Sequence, residues 1–146
     1  GCSPAQARRL WNSVAQELEP VSVEGKARWL LSADRDALAH PCGPQERLLL
    51  LGPHDPYLDT RDRDVLLPDK ALQKLVWRTV GNPGAVVLDG RISGMWTART
   101  VRDRLELSVT AWQAFSARQQ SMLEIRAQEY AAFRGLSLLK YTLEDG

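Results

Sequence analysis

Ten consecutive residues, His54 to Arg63, hold an imidazole, three carboxylates, a phenol and two guanidinium groups. Gathered into one polar pocket, His54, Asp55, Tyr57, Arg61, Asp62 and Arg63 could move a proton between imidazole and carboxylate and hold an anion on the guanidinium groups. No nucleophile with a base of its own, and no set of metal ligands, accompanies them, so the sequence assigns no catalytic residue. The structural alternative is that Asp55, Asp59, Asp62, Arg61 and Arg63 pair with one another or cap backbone groups, fastening a long loop.

A second set of residues suits nucleic acid. Arg8, Arg9, Asn12, Ser13 and Gln16 share the polar side of the first amphipathic segment. Arginine reads guanine bidentately, asparagine and glutamine read adenine, and all of them also hold phosphate. Lys26 and Arg28 follow on what reads as a wing and would touch the backbone. Arg99, Arg102 and Arg104 bracket an expected hairpin tip within reach of a phosphate chain, with Arg78 and Arg91 extending the basic stretch. Trp77, Trp96 and Trp112 could stack on bases, but tryptophans of this kind are more often core, and that is the expectation here.

The net charge of +1 over 146 residues hides an uneven distribution. Residues 61–104 carry nine Lys or Arg against five Asp, whereas residues 32–60 carry two Arg against five acids. A polyanion would meet one surface and be repelled by another. The two cysteines, Cys2 and Cys42, and the two histidines, His40 and His54, have no zinc-ligand spacing, so no metal and no cofactor is expected. No apolar run approaches the roughly 20 residues needed to span a bilayer, and a reducing cytoplasm is the expected compartment. Gly1-Cys2-Ser3 reads as a domain boundary rather than as the processed start of a lipoprotein.

The elements that must position these groups are legible in outline. Ser3 as N-cap, Pro4 at the first helical position and Gln6 closing a capping box start a helix. Its apolar stripe is Ala7, Leu10, Trp11, Val14, Ala15 and Leu18, and Pro20 ends it. Val21 and Val23, a Glu24-Gly25 turn, then Ala27, Trp29 and Leu31 read as a two-stranded hairpin. Helix followed by hairpin is the back half of a winged helix, and nothing in residues 1–39 covers Leu10, Val14 and Leu18. These residues therefore pack on a missing segment, on the second body or on another copy of the chain. A short helix over residues 32–38, capped by Ser32, precedes a linker at residues 40–45.

Residues 46–146 read as a second domain of short strands: 47–51, 75–80, 85–88, 91–98 and 104–111. Asp89-Gly90 marks a tight hairpin. Ser116 with Gln119 opens a helix that passes Met122, Leu123, Arg126, Tyr130 and Phe133 and stops at Gly135, and a last strand covers 136–143. The expected fold class is α+β, a partial winged helix followed by a small antiparallel β-barrel or curved sheet with one C-terminal helix.

The order of LLGPHDPYLDTRDR, VWRTVGNPGAVVLDGRISGMW and a helix ending in AAFRG resembles a bacterial winged-helix DNA-binding family. That family includes glycosylases that unhook interstrand crosslinks, and the resemblance runs from Ser3 to about Gly135. It implies tandem winged helices resting on a C-terminal barrel, of which this chain is the last half-wing plus the barrel. It also implies that the catalytic residues sit in a glutamine-containing motif far upstream. This chain has no counterpart, because Gln119-Gln120 is better explained by helix capping. The expected function is a DNA-binding, scaffolding module with double-stranded DNA as partner, self-association through the Leu10, Val14 and Leu18 stripe being a further expectation. The alternatives are a part of a DNA glycosylase for alkylated or crosslinked bases, and a barrel that binds a small ligand or a protein.

Overall fold

The computed structural model describes residues 1–146 except Gly1, Glu24, Cys42, Pro44, Gln45 and Arg61. The chain divides into two compact units, Gly1–Gly43 and Pro44–Gly146.

In the first unit, helix α1 (Pro4–Val14) begins as its sequence requires, with the Ser3 hydroxyl accepting from the Gln6 amide at 3.3 Å and Pro4 at the first helical position. It ends earlier than its periodicity suggests. Residues Ala15–Glu17 tighten into a 3-10 turn, and Leu18 already belongs to strand β1 (Leu18–Val23). Pro20 thus lies inside that strand, opposite Trp29 of β2 (Lys26–Leu31), rather than stopping a helix. A two-stranded ribbon tolerates proline because each strand has a free edge. The pairing of Val23 with Lys26 leaves two residues for the turn; Gly25 adopts φ +76°, while Glu24 lies outside the described residues. Ser32 does not cap the next helix, α2 (Arg35–Ala39). Its hydroxyl donates instead to the Glu17 carbonyl at 3.1 Å, tying the two ends of the hairpin together.

No described residue of this unit is buried. Trp11 and Trp29 meet edge to face at 5.4 Å, yet remain 44% and 54% exposed. Leu10, Val14 and Leu31 are exposed as well. The apolar stripe of α1 is therefore genuine but shorter than expected, since Leu18 has left the helix.

The second unit is built on a five-stranded sheet in the order β3 (Leu48–Leu51), β4 (Gly84–Leu88), β5 (Arg91–Val101), β6 (Arg104–Ala111) and β7 (Ser137–Asp145). It stays open, with β3 and β7 at its edges, so it is a sheet and not a closed barrel. Nor is it wholly antiparallel: β7 runs parallel to β6. The 17-residue helix α5 (Ala117–Phe133) supplies the crossover that parallel neighbours require. Ser116 and Gln119 form the full capping box at its start. At its end the Leu136 amide bonds to the Ala131 carbonyl and the Gly135 amide to that of Ala132, the paired closure of a Schellman motif.

Each face of the sheet has its own core. On one side Leu48, Val86, Trp96, Leu107 and Val109 pack with Phe115 and with Leu123 and Ala127 of α5. On the other Ala85, Val87 and Ile92 pack with Leu58, Leu66, Leu67 and Val76. Val86 against Ala85 and Val87 is the period of two that sends alternate strand residues to opposite faces. Ile92 and Trp96, four apart in one strand, ought by that rule to share a face. They do not, because Val86 pairs with Gly94 and Val87 with Ile92, which leaves Ser93 as an extra residue in a β-bulge.

The expected strand over 75–80 does not form: Leu75 and Val76 close helix α4 (Lys70–Val76), and residues 77–80 are irregular. The Asp69 carboxylate caps the helix, accepting from the Ala71 and Leu72 amides at 2.7 and 3.2 Å, and Leu72 and Val76 face the core one helical turn apart. A shorter helix, α3 (Arg63–Leu66), precedes it, and Asp64 joins the two by accepting from Lys70 and Gln73.

One polar atom packed against the first core has no hydrogen-bond partner among the described residues. The Tyr141 hydroxyl is buried and unbonded, and burial, with Glu124 adding to it, pushes its ionisation up to about 12. A raised pKa means the folded chain holds that proton more tightly, so the contribution is complete below pH 10 and is lost as pH rises towards 12. Removing the hydroxyl removes its desolvation cost. Tyr141→Phe is expected to raise the unfolding free energy by about 1 kcal/mol, seen as a higher denaturation midpoint at an unchanged m value, and a loss of stability would show that the hydroxyl has a partner.

Candidate functional site

The loop from Gly52 to Thr60 is held by a chain of short backbone bonds, Asp55 to Gly52, Leu58 to Asp55 and Asp59 to Pro56, at 3.1, 2.9 and 3.2 Å. Asp55 adds a side-chain turn, one carboxylate oxygen accepting from the Tyr57 amide at 2.9 Å. Tyr57 points out of the loop and donates its hydroxyl to the Gly90 carbonyl at 3.0 Å, pinning the loop to the β4–β5 turn. That turn, Asp89-Gly90, has φ +48° and +82°, the two positive values of a tight hairpin. Asp89 in turn accepts from the Arg47 amide at 2.8 Å and donates its own amide to the Arg47 carbonyl, fixing the entry to β3.

Behind this loop lies a cleft of about 210 Å³. Of the residues expected to form a polar pocket, His54, Asp55 and Arg63 line it; Tyr57 and Asp62 do not, and Arg61 lies outside the described residues. Asp59, Trp77 and Asn82 complete the wall, with Pro53 and Leu58. Trp77 carries a stacking option in the sequence but is expected as core, and Asn82 has no signal in the sequence, because it comes from a segment some twenty residues further on that only the fold brings to the loop. Arg63 pairs with no described carboxylate across the cleft; its guanidinium lies 4.7 Å over the Trp77 ring. The indole is itself fixed, its Nε1 donating to the Leu58 carbonyl at 2.9 Å. Asp59 and His54 have no partner among the described residues, and the Asn82 Oδ1 is buried and unbonded, as is the nearby Thr60 hydroxyl. Among the described residues no three potential metal ligands converge.

Trp77 and Trp112 are half-buried beside the second core, and Trp96 is 5% exposed, its Nε1 donating to the Leu51 carbonyl at 2.9 Å and its ring edge to face with Tyr130 at 4.9 Å. Trp96 is thus a core residue, as its sequence context suggests.

The basic groups fall in separate places. Strand β5 outruns β4, whose last partner is Trp96, so Thr97 to Thr100 are all exposed, while β6 keeps β7 on its other side as far as Arg104, next to the turn at Arg102-Asp103. Arg102 takes φ +57° in that turn. Arg99 forms an ion pair with Glu106 directly opposite, Nε to Oε2 at 2.7 Å, whereas Arg102 and Arg104 have no acidic partner among the described residues. Arg91 opens the same strand, roughly 33 Å from the tip at the rise of an extended chain, and Arg78 is turned back to the Leu75 carbonyl at 2.9 Å. The basic stretch of the sequence is therefore not one patch.

In the first unit Arg8, Arg9 and Asn12 are exposed on α1, but Ser13 bonds to the Leu10 carbonyl at 2.8 Å and Gln16 belongs to the 3-10 turn. Lys26 is exposed at the start of β2, and Arg28, exposed as well, donates to the Ala27 carbonyl at 3.0 Å.

No curated protein matches the chain. Among solved structures it is similar to the DNA glycosylase AlkZ of Streptomyces sahachiroi, with a TM-score of 0.73 and 28% identity, over 97% of this chain and 38% of that one. It thus spans well under half of that protein's length. The model of the AlkZ-like family, described as DNA glycosylase AlkZ-like, matches residues 1–133. With the first unit and most of the second inside that match, and the same fold in a solved relative, the chain belongs to the AlkZ-like DNA glycosylase family.

Proposed function

We propose that the chain is a DNA-binding, scaffolding module of a DNA glycosylase, and that it carries no catalytic centre of its own. The observation that supports this most is the β5–β6 turn at one end of the sheet, where Arg102 and Arg104 are exposed with no acidic partner among the described residues. Exposed arginines without acidic partners add self-repulsion with no return in core packing, whereas against a phosphate chain they release counterions. The partner that fits is double-stranded DNA, and the whole protein's reaction is release of an alkylated or crosslinked base by residues outside this chain.

The first unit contributes in the same reading as the back half of a winged helix, with Arg8, Arg9, Asn12, Lys26 and Arg28 towards DNA and Leu10, Trp11 and Val14 towards the rest of that domain. Ser13 and Gln16, already engaged or displaced, drop to minor roles. Titrating the isotope-labelled chain with a short duplex tests the assignment: the largest amide shifts are expected at Val101–Arg104, and shifts confined to other surfaces, with the hairpin unmoved, would refute it.

A further inference from the structure

Strand β5 loses one of its neighbours before it ends. On one side β6 pairs with it as far as Val101, but on the other β4 begins only at Gly84, opposite Trp96, and β3 ends at Leu51, opposite Ala85. From Thr97 to Val101 the β4 side of the strand is therefore a notch, roughly 16 Å long at the rise of an extended chain. Thr97, Ala98, Arg99 and Thr100 along it are all exposed.

Helix α5 overhangs this notch. Arg126, Tyr130 and Phe133 recur at i, i+4 and i+7 and so share one flank of the helix. On that flank Arg126 donates to the Leu48 carbonyl of β3, and Tyr130 lies edge to face with Trp96 of β5 at 4.9 Å. The helix runs in the same direction as β5, because it returns the chain from β6 to the parallel strand β7. Phe133 comes about 4.5 Å beyond Tyr130, past the level at which β3 and β4 stop, with neither strand beneath it. Its ring is 85% exposed, with Val80 the most exposed of the large apolar side chains described. Leu123 and Ala127, which face the sheet from the same helix, are wholly buried.

Charge selects what can cover the ring. Arg102 and Arg104 close the far end of the notch. Arg134, next to Phe133, donates to the Tyr130 hydroxyl at 3.0 Å and has no acidic partner among the described residues. Glu106 and Glu129 are held by Arg99 and Arg126, which leaves Asp103 against three guanidinium groups. A peptide strand could add to the open edge of β5, but it would leave that positive charge unanswered. A polyanion with apolar rings between its charges answers both, with phosphates on the arginines and deoxyribose on the phenyl ring.

We propose that Phe133 is a DNA contact, its ring packed on the sugars of the strand whose phosphates meet Arg102 and Arg104. The assignment rests on the DNA-binding reading and deepens it: the basic turn gains an apolar counterpart that adds affinity without releasing counterions.

The test is binding of one labelled duplex, across a salt series, to the wild-type chain, to Phe133→Ala, to Phe133→Trp and to Arg102→Ala/Arg104→Ala. Phe133→Ala is expected to bind about 10-fold more weakly at every salt concentration, the loss that goes with half-burying a phenyl ring, while the slope of log K against log salt stays as in the wild type. Phe133→Trp should keep the wild-type affinity within about 2-fold, since the indole offers at least as much apolar surface. With its ring exposed, Phe133→Ala should melt with the wild type. Unchanged affinity in Phe133→Ala would overturn the proposal and leave the notch to a peptide strand, and so would a loss accompanied by a flatter slope, which would make the effect one of charge. In either case binding that still depends on Arg102 and Arg104 would keep the DNA reading, whereas a wild-type chain that binds no duplex at low salt would overturn both.

Discussion

Gly84→Ala is expected to destabilise the second unit by about 3 kcal/mol or more, lowering its melting temperature by roughly 10–20 °C. A methyl group at Gly84 would lie 2.2 Å from Nε1 of Trp96 and 2.7 Å from the Leu51 carbonyl oxygen. These are the two partners of the bond that ties the indole to the edge strand at 2.9 Å. Overpacking alone typically costs 1–3 kcal/mol, and forcing the ring away adds about as much again by leaving a buried N–H without its acceptor. The ring has little room to yield, being packed against Tyr130 and the α5 face of the core. Gly52→Ala is the matched control, since nothing lies within 4 Å of a methyl group there and its backbone is not left-handed. It should stay within about 0.5 kcal/mol of the wild type, so equal melting curves for both variants would show that Gly84 is not a contact glycine.

Gly84 also shows what the sequence could and could not reveal. VVLDGRISGMW announced a hairpin through Asp89-Gly90, and the hairpin is there, but nothing in that string marks Ser93 as an inserted residue. The bulge alone sends Ile92 and Trp96 to opposite faces. Caps written in short-range polar residues were legible at Ser3, Ser116 and Gly135, because their partners lie within a few residues. Asp69 obeys the same rule, yet the apolar residues Leu75, Val76, Trp77 and Val80 suggest a strand over 75–80 and hide the end of helix α4. The parallel placement of β7 was out of reach as well, since either direction gives the strand the same pattern of side chains; only the length of α5 decides it.

The polar loop was half legible for a related reason. Residues that bond locally, such as Asp55 to the Tyr57 amide, can be anticipated from spacing. Partners brought by the fold cannot: Arg63 reaches Trp77, fourteen positions on, rather than any neighbouring aspartate that its sequence context offers. The loop is fastened as expected by Asp55 on a backbone amide, and it also borders a cleft. The basic stretch divides in the same way, because a single long strand separates Arg91 from Arg102.

The second large effect concerns binding. Arg102 and Arg104 stand exposed at the β5–β6 turn, and each that meets a phosphate releases close to one counterion. The double variant Arg102→Ala/Arg104→Ala should therefore bind a duplex at least ~10-fold more weakly at low salt, with the slope of log K against log salt reduced by about 2. Stability should be unaffected, since both side chains are exposed and unpaired among the described residues. Arg99→Ala is expected to have a smaller effect, because that guanidinium is already shared with Glu106. Duplex binding by the wild-type chain and by the double variant, measured across one salt series, is the most direct test that the hairpin is the DNA-contacting element. A weaker and flatter salt dependence in the variant is the expected result, and superimposable curves, or a wild-type chain that binds no duplex at low salt, would contradict it.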